Sequence, residues 1–218
     1  MKRKIKIAWD ISHLEFTIED HYYFSILKSS LKELGAIVKE VDSFKDINRY
    51  DVTVLNYPEK TFTKDEVKFV RGYLHEGRRV IATGYYNNED NIAGCINSLS
   101  SQFGLFLNDD KVRDKLNNDE GDDLLLVTSR ILSYNNSVDR VLLPCSASIS
   151  IHTDSGRPIV TQENPSHTRK TVIGAETQVG KGRFILLGTC VFWDNFAIRR
   201  YGNLRFSLNL LLKGVGTV

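Results

Sequence analysis

The stretch "IKIAWDISHLEF", Ile5 to Phe16, places a carboxylate, an imidazole and a second carboxylate within six residues. Asp10, His13 and Glu15 are the donor types of a zinc or manganese site, or of an acid–base centre. Such a site needs hydrogen-bonded support behind its ligands, and a second segment usually contributes to it. Loops that follow strands are also rich in polar residues for turn reasons alone. The plainer reading is preferred: Asp10 accepts backbone hydrogen bonds at the strand end, and His13 orders the loop before the next helix. A metal-assisted hydrolase using Asp10, His13 and Glu15, with Asp194 as a fourth group, is the alternative.

The remaining chemistry is sparse. Cys95, Cys145 and Cys190 are odd in number and form no C-x-x-C pair, which argues against a disulfide framework and a structural zinc site. Neither G-x-G-x-x-G nor G-x-x-x-x-G-K-[ST] occurs, so the common dinucleotide and nucleotide loops are disfavoured. "GKGRF" lies between two strand-like runs and reads as a hairpin turn. No catalytic residue, metal or cofactor is assigned.

Composition narrows the classes further. A formal net charge of +2, from 29 basic and 27 acidic residues spread along the chain, is not the footprint of a nucleic-acid binder. The basic Lys2-Arg3-Lys4 precedes an apolar run too short for a signal peptide, and no run reaches the roughly 18 apolar residues of a membrane span. A cytoplasmic protein without direct membrane insertion is expected.

The elements that must position these residues alternate. "KIKIAWD" reads as a strand, a helix follows from about Asp20 to Leu34, and "AIVKEV" and "YDVTVLN" read as two more strands. "FTKDEVKFVRGYLHEG" opens with Thr63 and Glu66 at capping-box spacing and stops at Gly77. "RRVIATG" is a fourth strand, with a helix expected from about Asn88 to Ser101. This is the pattern of a three-layer, doubly wound, mainly parallel α/β sheet, flavodoxin-like or class I glutamine amidotransferase-like. After a polar excursion, later strand-like pieces extend the sheet, some antiparallel, and a helix over about Asn203–Lys213 closes it. One domain over 1–213 is expected, with 214–218 a frayed tail.

Open parallel sheets bind ligands beyond the carboxyl ends of their strands. That rule selects a rim of Asp10, Ser12, His13 and Glu15 from the first strand, Asn56 and Tyr57 from the third, and Thr83, Gly84 and Tyr85 from the fourth. Thr189, Trp193 and Asp194 come from the late strand "RFILLGT". The aromatic set Tyr85, Tyr86, Phe192, Trp193 and Phe196 reads either as a sugar or peptide platform or as packing over the sheet edge. A nucleophile elbow would fall near Gly84 or Tyr85, where there is no cysteine or serine.

The pieces "AWDISHLEF", "YYFSILKSSLKELGAIVKEV", "YDVTVLNYPEKTFTKDEVKFVRGYLHEGRRVIATG", "INSLSSQFGLFLNDDKV" and "GKGRFILLGTCVFWDN" follow one another over most of the chain. In that order they resemble the GIFT domain, the amidotransferase-like module of intraflagellar-transport proteins and of proteins linked to gliding-motility ABC transporters. The resemblance implies an amidotransferase-like fold that lacks the catalytic cysteine and histidine. It also implies a non-catalytic role: binding a sugar, a peptide or a protein partner, or serving as an assembly subunit of a transport or motility complex.

Overall fold

Strand β1 (Lys6–Asp10) is buried at four of its five positions, as a central parallel strand must be when helices cover both faces of its sheet. The computed structural model describes residues 3–163 and 171–215. Helix α1 (His21–Glu33) starts where Asp20 accepts hydrogen bonds from the backbone N–H groups of Tyr22 and Tyr23. It turns Phe24, Leu27 and Leu31 to the core and ends before Gly35, whose φ of 78° suits glycine. Strand β2 (Ile37–Val41) is the sheet edge, and β3 (Val52–Asn56) is buried throughout.

Helix α2 (Lys64–His75) carries the expected capping box, with both the Thr63 and Glu66 halves formed. Thr63→Ala should therefore lower stability by about 1 kcal/mol, read as a shifted urea midpoint with an unchanged slope. Strand β4 (Arg79–Thr83) is also buried throughout. The next helix, α3 (Ile92–Ser100), starts four residues later than expected. Asn87, Asn88, Asp90 and Asn91 all have φ between 47° and 60°, a left-handed conformation that Asn and Asp tolerate better than other side chains.

The late strands divide between sheets. Strand β5 (Leu105–Leu107) pairs with β9 (Ile149–Ile151) alone. Strands β6 (Asn118–Asp119), β7 (Asp122–Thr128) and β8 (Val141–Pro144) make a separate three-stranded antiparallel sheet. The polar excursion thus contains a hairpin, turning at Glu120 and Gly121 with φ of 55° and 78°. Only β10 (Gly156–Thr161), β11 (Val172–Val179) and β12 (Gly182–Leu187) extend the main sheet, whose order is β10-β11-β12-β4-β3-β1-β2. Five of these seven strands, β12 to β2, are parallel; β10 and β11 are antiparallel, and Gly180 makes the expected hairpin turn into β12.

Helix α4 (Asn203–Leu212) joins α1 on one face of the sheet, around Trp9, Ile185, Trp193 and Phe206. The other face packs α2 and α3 against Leu55, Val80 and Phe184. The result is a three-layer α/β fold. Val215 packs partly against the first of these cores; residues 216–218 of the expected tail lie outside the described residues.

Candidate functional site

Because β1, β3, β4 and β12 run parallel, their carboxyl ends deliver four loops to one edge of the sheet. The loops meet in a cleft of about 250 Å³. Phe16 reaches it from the β1 loop, held by two hydrogen bonds: its N–H donates to the Asn56 carbonyl (3.1 Å), and its carbonyl accepts from Trp9 Nε1 (2.6 Å). Tyr23 comes from α1, Tyr57 from the β3 exit, Tyr85 and Glu89 from the β4 exit, and Cys190 and Asp194 from the segment after β12. Tyr57 sits at φ 65°, a conformation costly for an aromatic residue, and its hydroxyl donates to Asp90 Oδ2 at 2.9 Å.

Asp194 is buried yet lines the cleft. Its Oδ1 accepts the N–H groups of Phe196 and Ala197 at 2.9 and 3.2 Å, which fixes the carboxylate and favours its charge. Burial outweighs those bonds and pushes its pKa up to about 6. The Cys190 thiol is also pushed up, chiefly by burial and then by the Asp194 charge, so at neutral pH it is a thiol and a poor nucleophile. Cys145, at φ 50°, is raised by burial as well, despite a lowering contact from the Tyr85 hydroxyl.

The Asp10 loop forms a second, deeper cluster beside the cleft. Asp10 accepts hydrogen bonds from Ser12 Oγ (2.9 Å) and the Ser12 N–H (3.3 Å), and its Oδ2 lies 3.0 Å from His13 Nδ1. Glu15 Oε2 accepts the His13 N–H at 2.7 Å, while Glu15 Oε1 is buried with no partner among the described residues. The His13 ring stacks on Phe62 with centroids 4.0 Å apart, and its Nε2 points to Glu66 Oε1 at 3.5 Å. Ligating atoms of Asp10, His13 and Glu15 lie within 4.8 Å of one another, close enough for one cation. The same contacts also make the cluster a loop anchor, with His13 clamped between carboxylates and aromatic rings.

The twelve rim residues expected from sequence thus separate. Tyr57, Tyr85 and Asp194 line the cleft. Asn56, Thr83, Thr189 and Trp193 are fully buried and present no ligand surface. Asn56 Oδ1 accepts from Thr83 Oγ1 (2.8 Å) and Trp193 Nε1 (3.1 Å), so these three tie strand ends together beneath the cleft. Thr189 Oγ1 donates to the Pro144 carbonyl (2.5 Å), and Gly84 serves packing, since a Cβ there would lie 2.3 Å from a Leu107 methyl. Asp10, His13, Glu15 and the half-buried Ser12 form the deeper cluster. Of the aromatic set, Phe192 and Trp193 belong to the core, and Phe196 is exposed beside Arg200. Phe16, Tyr23, Glu89 and Cys190 line the cleft without having been expected there.

No protein-family model matches the chain. A protein of Aquifex aeolicus (strain VF5), described as uncharacterized, is 43% identical over 222 residues, covering 95% of this chain and 93% of that one. The two belong to one family. Among solved structures, the mmIFT52 N-terminal domain superposes on this member with a TM-score of 0.80 at 15% identity, over 97% of this chain and 100% of that one. A cytoplasmic protein from Salmonella typhimurium gives 0.61 at 11% identity, over 96% and 98%. The family therefore has a GIFT-like fold. Among the described residues no helix of this member is long and apolar enough to cross a membrane.

Proposed function

We propose that the chain is a non-catalytic binding module of the GIFT type, a single domain over residues 1–213 working in the cytoplasm, whose ligand or partner group enters the cleft between Phe16 and Asp194. The observation that carries this reading is the make-up of the strand exits. Where an amidotransferase-like fold would put its nucleophile there are Gly84 and Tyr85, and the thiol that lines the cleft, Cys190, is buried and held protonated. No histidine lines the cleft among the described residues. What remains is aromatic surface with one fixed carboxylate, Asp194, and a second, Glu89, a composition suited to holding a group rather than transforming it.

The likeness to the mmIFT52 domain supports an assembly role in a transport or motility complex, and the Salmonella neighbour's description supports the cytoplasm. The partner is a protein or a small molecule, not nucleic acid. Thermal-shift screening of sugars, amino acids and short peptides against wild type and Tyr85→Ala tests the reading. Ligands should raise the midpoint of the wild type and leave the variant unmoved. A panel that acts on both alike would defeat the assignment of the cleft.

A second reading, a metal-assisted hydrolase, draws on one observation: the unpartnered Glu15 Oε1 beside Asp10 and His13. Metal analysis of the purified protein decides between the two. A stoichiometric zinc or manganese ion that is lost in His13→Ala would replace the binding-module reading.

A further inference from the structure

The walls of the cleft are of one chemical kind, and its charge is of one sign. Ring centroids of Phe16 and Tyr23 lie 6.3 Å apart, those of Phe16 and Tyr57 5.0 Å, and those of Tyr57 and Tyr85 5.8 Å. Four rings thus follow one another around the opening. Two of their three hydroxyls are engaged elsewhere: the Tyr57 hydroxyl donates to Asp90, and the Tyr85 hydroxyl faces the Cys145 thiol. The cleft is left with ring surface, whose quadrupole attracts cations.

Asp194 supplies the matching charge. Two backbone N–H groups hold its Oδ1, while its Oδ2 accepts no hydrogen bond among the described residues. Glu89 adds a second carboxylate at the mouth, and none of the described lining residues is basic. Lys111 Nζ, 4.9 Å from the centre of the neighbouring Tyr86 ring, shows that this aromatic cluster already accommodates an ammonium group just outside the cleft.

These features discriminate between ligand classes. An anion would meet two carboxylates and no counter-charge. A sugar needs donors and acceptors in pairs, but two of the three phenol hydroxyls are engaged elsewhere and the carboxylates only accept, so Tyr23 alone offers a hydroxyl donor. A primary ammonium brings three N–H donors that all want acceptors, whereas a trimethylated ammonium brings none and spreads its charge over methyl groups that pack on rings. At about 250 Å³ the space falls below the roughly 300–1,000 Å³ of pockets for drug-sized ligands, which suits a head group.

We propose that the cleft receives a trimethylammonium group, with Phe16, Tyr23, Tyr57 and Tyr85 as its cage and Asp194 as its counter-ion. This rests on the cleft being the ligand site. The same group occurs on choline-type small molecules and on trimethylated lysine side chains, and the two sources present the same chemistry to the rings.

The test is calorimetric titration of the whole chain with three probes: choline, its neutral carbon isostere 3,3-dimethyl-1-butanol, and a short peptide carrying trimethyl-lysine. At least one cationic probe should bind more tightly than the neutral isostere by about tenfold or more, the order a desolvated cation–ring contact supplies. The stronger of the two cationic probes identifies the source. Asp194→Asn keeps an oxygen for the Phe196 and Ala197 N–H groups and removes only the charge. It should melt like the wild type and lose about tenfold or more in affinity for the cation, with no change for the isostere. Equal binding of choline and the isostere overturns the cation assignment while leaving the cleft a binding site. Failure of both cationic probes at millimolar concentration, or full affinity in Asp194→Asn, overturns it too.

Discussion

Trp193→Ala is expected to cost about 3–5 kcal/mol, the range for truncating a large buried aromatic. In a chain of this size that lowers the melting temperature by roughly 10 °C. Trp193 is fully buried, its ring stacked on Phe192 at 4.7 Å and tilted against Trp9 at 5.5 Å. Its indole N–H donates to Asn56 Oδ1, so truncation opens a cavity and removes one of that oxygen's two donors. Trp193→Phe keeps most of the volume and should cost about 1–2 kcal/mol, mainly through the lost hydrogen bond and a smaller void. Urea unfolding of both variants measures the difference. Near-equal losses would mean that the hydrogen bond to Asn56, and not packing, dominates at this position. The residue after Trp193 is Asp194, so the alanine variant should also weaken any ligand that uses the cleft.

The first half of the fold was legible because its signals are local. Thr63 and Glu66 carry a capping box in four residues of sequence, Gly35 and Gly77 mark helix ends, and Phe24, Leu27 and Leu31 recur at helical spacing. The second half was not, because pairing partners are set by tertiary packing. Strand β7 is buried on both faces, Leu126 in the main core and Leu125 and Val127 against Leu142 and Ala197, so it reads like a strand of the main sheet. Nothing in "LLLVTS" says that its neighbour is β8.

The site shows the same division. Strand ends could be named from the sequence, but not which of their residues face outward. Asn56, Thr83 and Trp193 look like a polar and aromatic rim in one dimension and turn inward in three, where they satisfy one another. Tyr23 had a usable signal, since it sits off the Phe24–Leu27–Leu31 face of α1 and is 43% exposed, an uncommon place for a large aromatic. Phe16 and Glu89 had none. Their positions depend on the bond from Trp9 to the Phe16 carbonyl and on a turn of left-handed Asn and Asp residues.

Glu15→Gln is expected to stabilise the protein at pH 8 by on the order of 2 kcal/mol or more, and to change little near pH 4.5. The Glu15 side chain is fully buried beside Asp10, where two carboxylates cannot both hold charge. Burial first, and then the Asp10 charge, push its pKa from 4.5 up to about 9, so at neutral pH it keeps its proton and donates it toward Asp10. The otherwise unpartnered Oε1 is thereby satisfied. In the unfolded chain Glu15 ionises near its ordinary value. Between the two pKa values the folded state holds a proton that the unfolded state lacks. The stability contributed by the group is complete below pH 4.5 and is lost as pH rises toward 9, at no more than about 1.4 kcal/mol per unit. Glutamine is neutral at every pH. Its carbonyl can accept the His13 N–H and its amide can donate to Asp10, so the variant keeps the geometry and removes the slope. Urea midpoints measured from pH 4.5 to 8.5 test this. If the variant instead loses stability at pH 8, and a chelator lowers the wild-type midpoint, Asp10, His13 and Glu15 hold a cation in place of the shared proton.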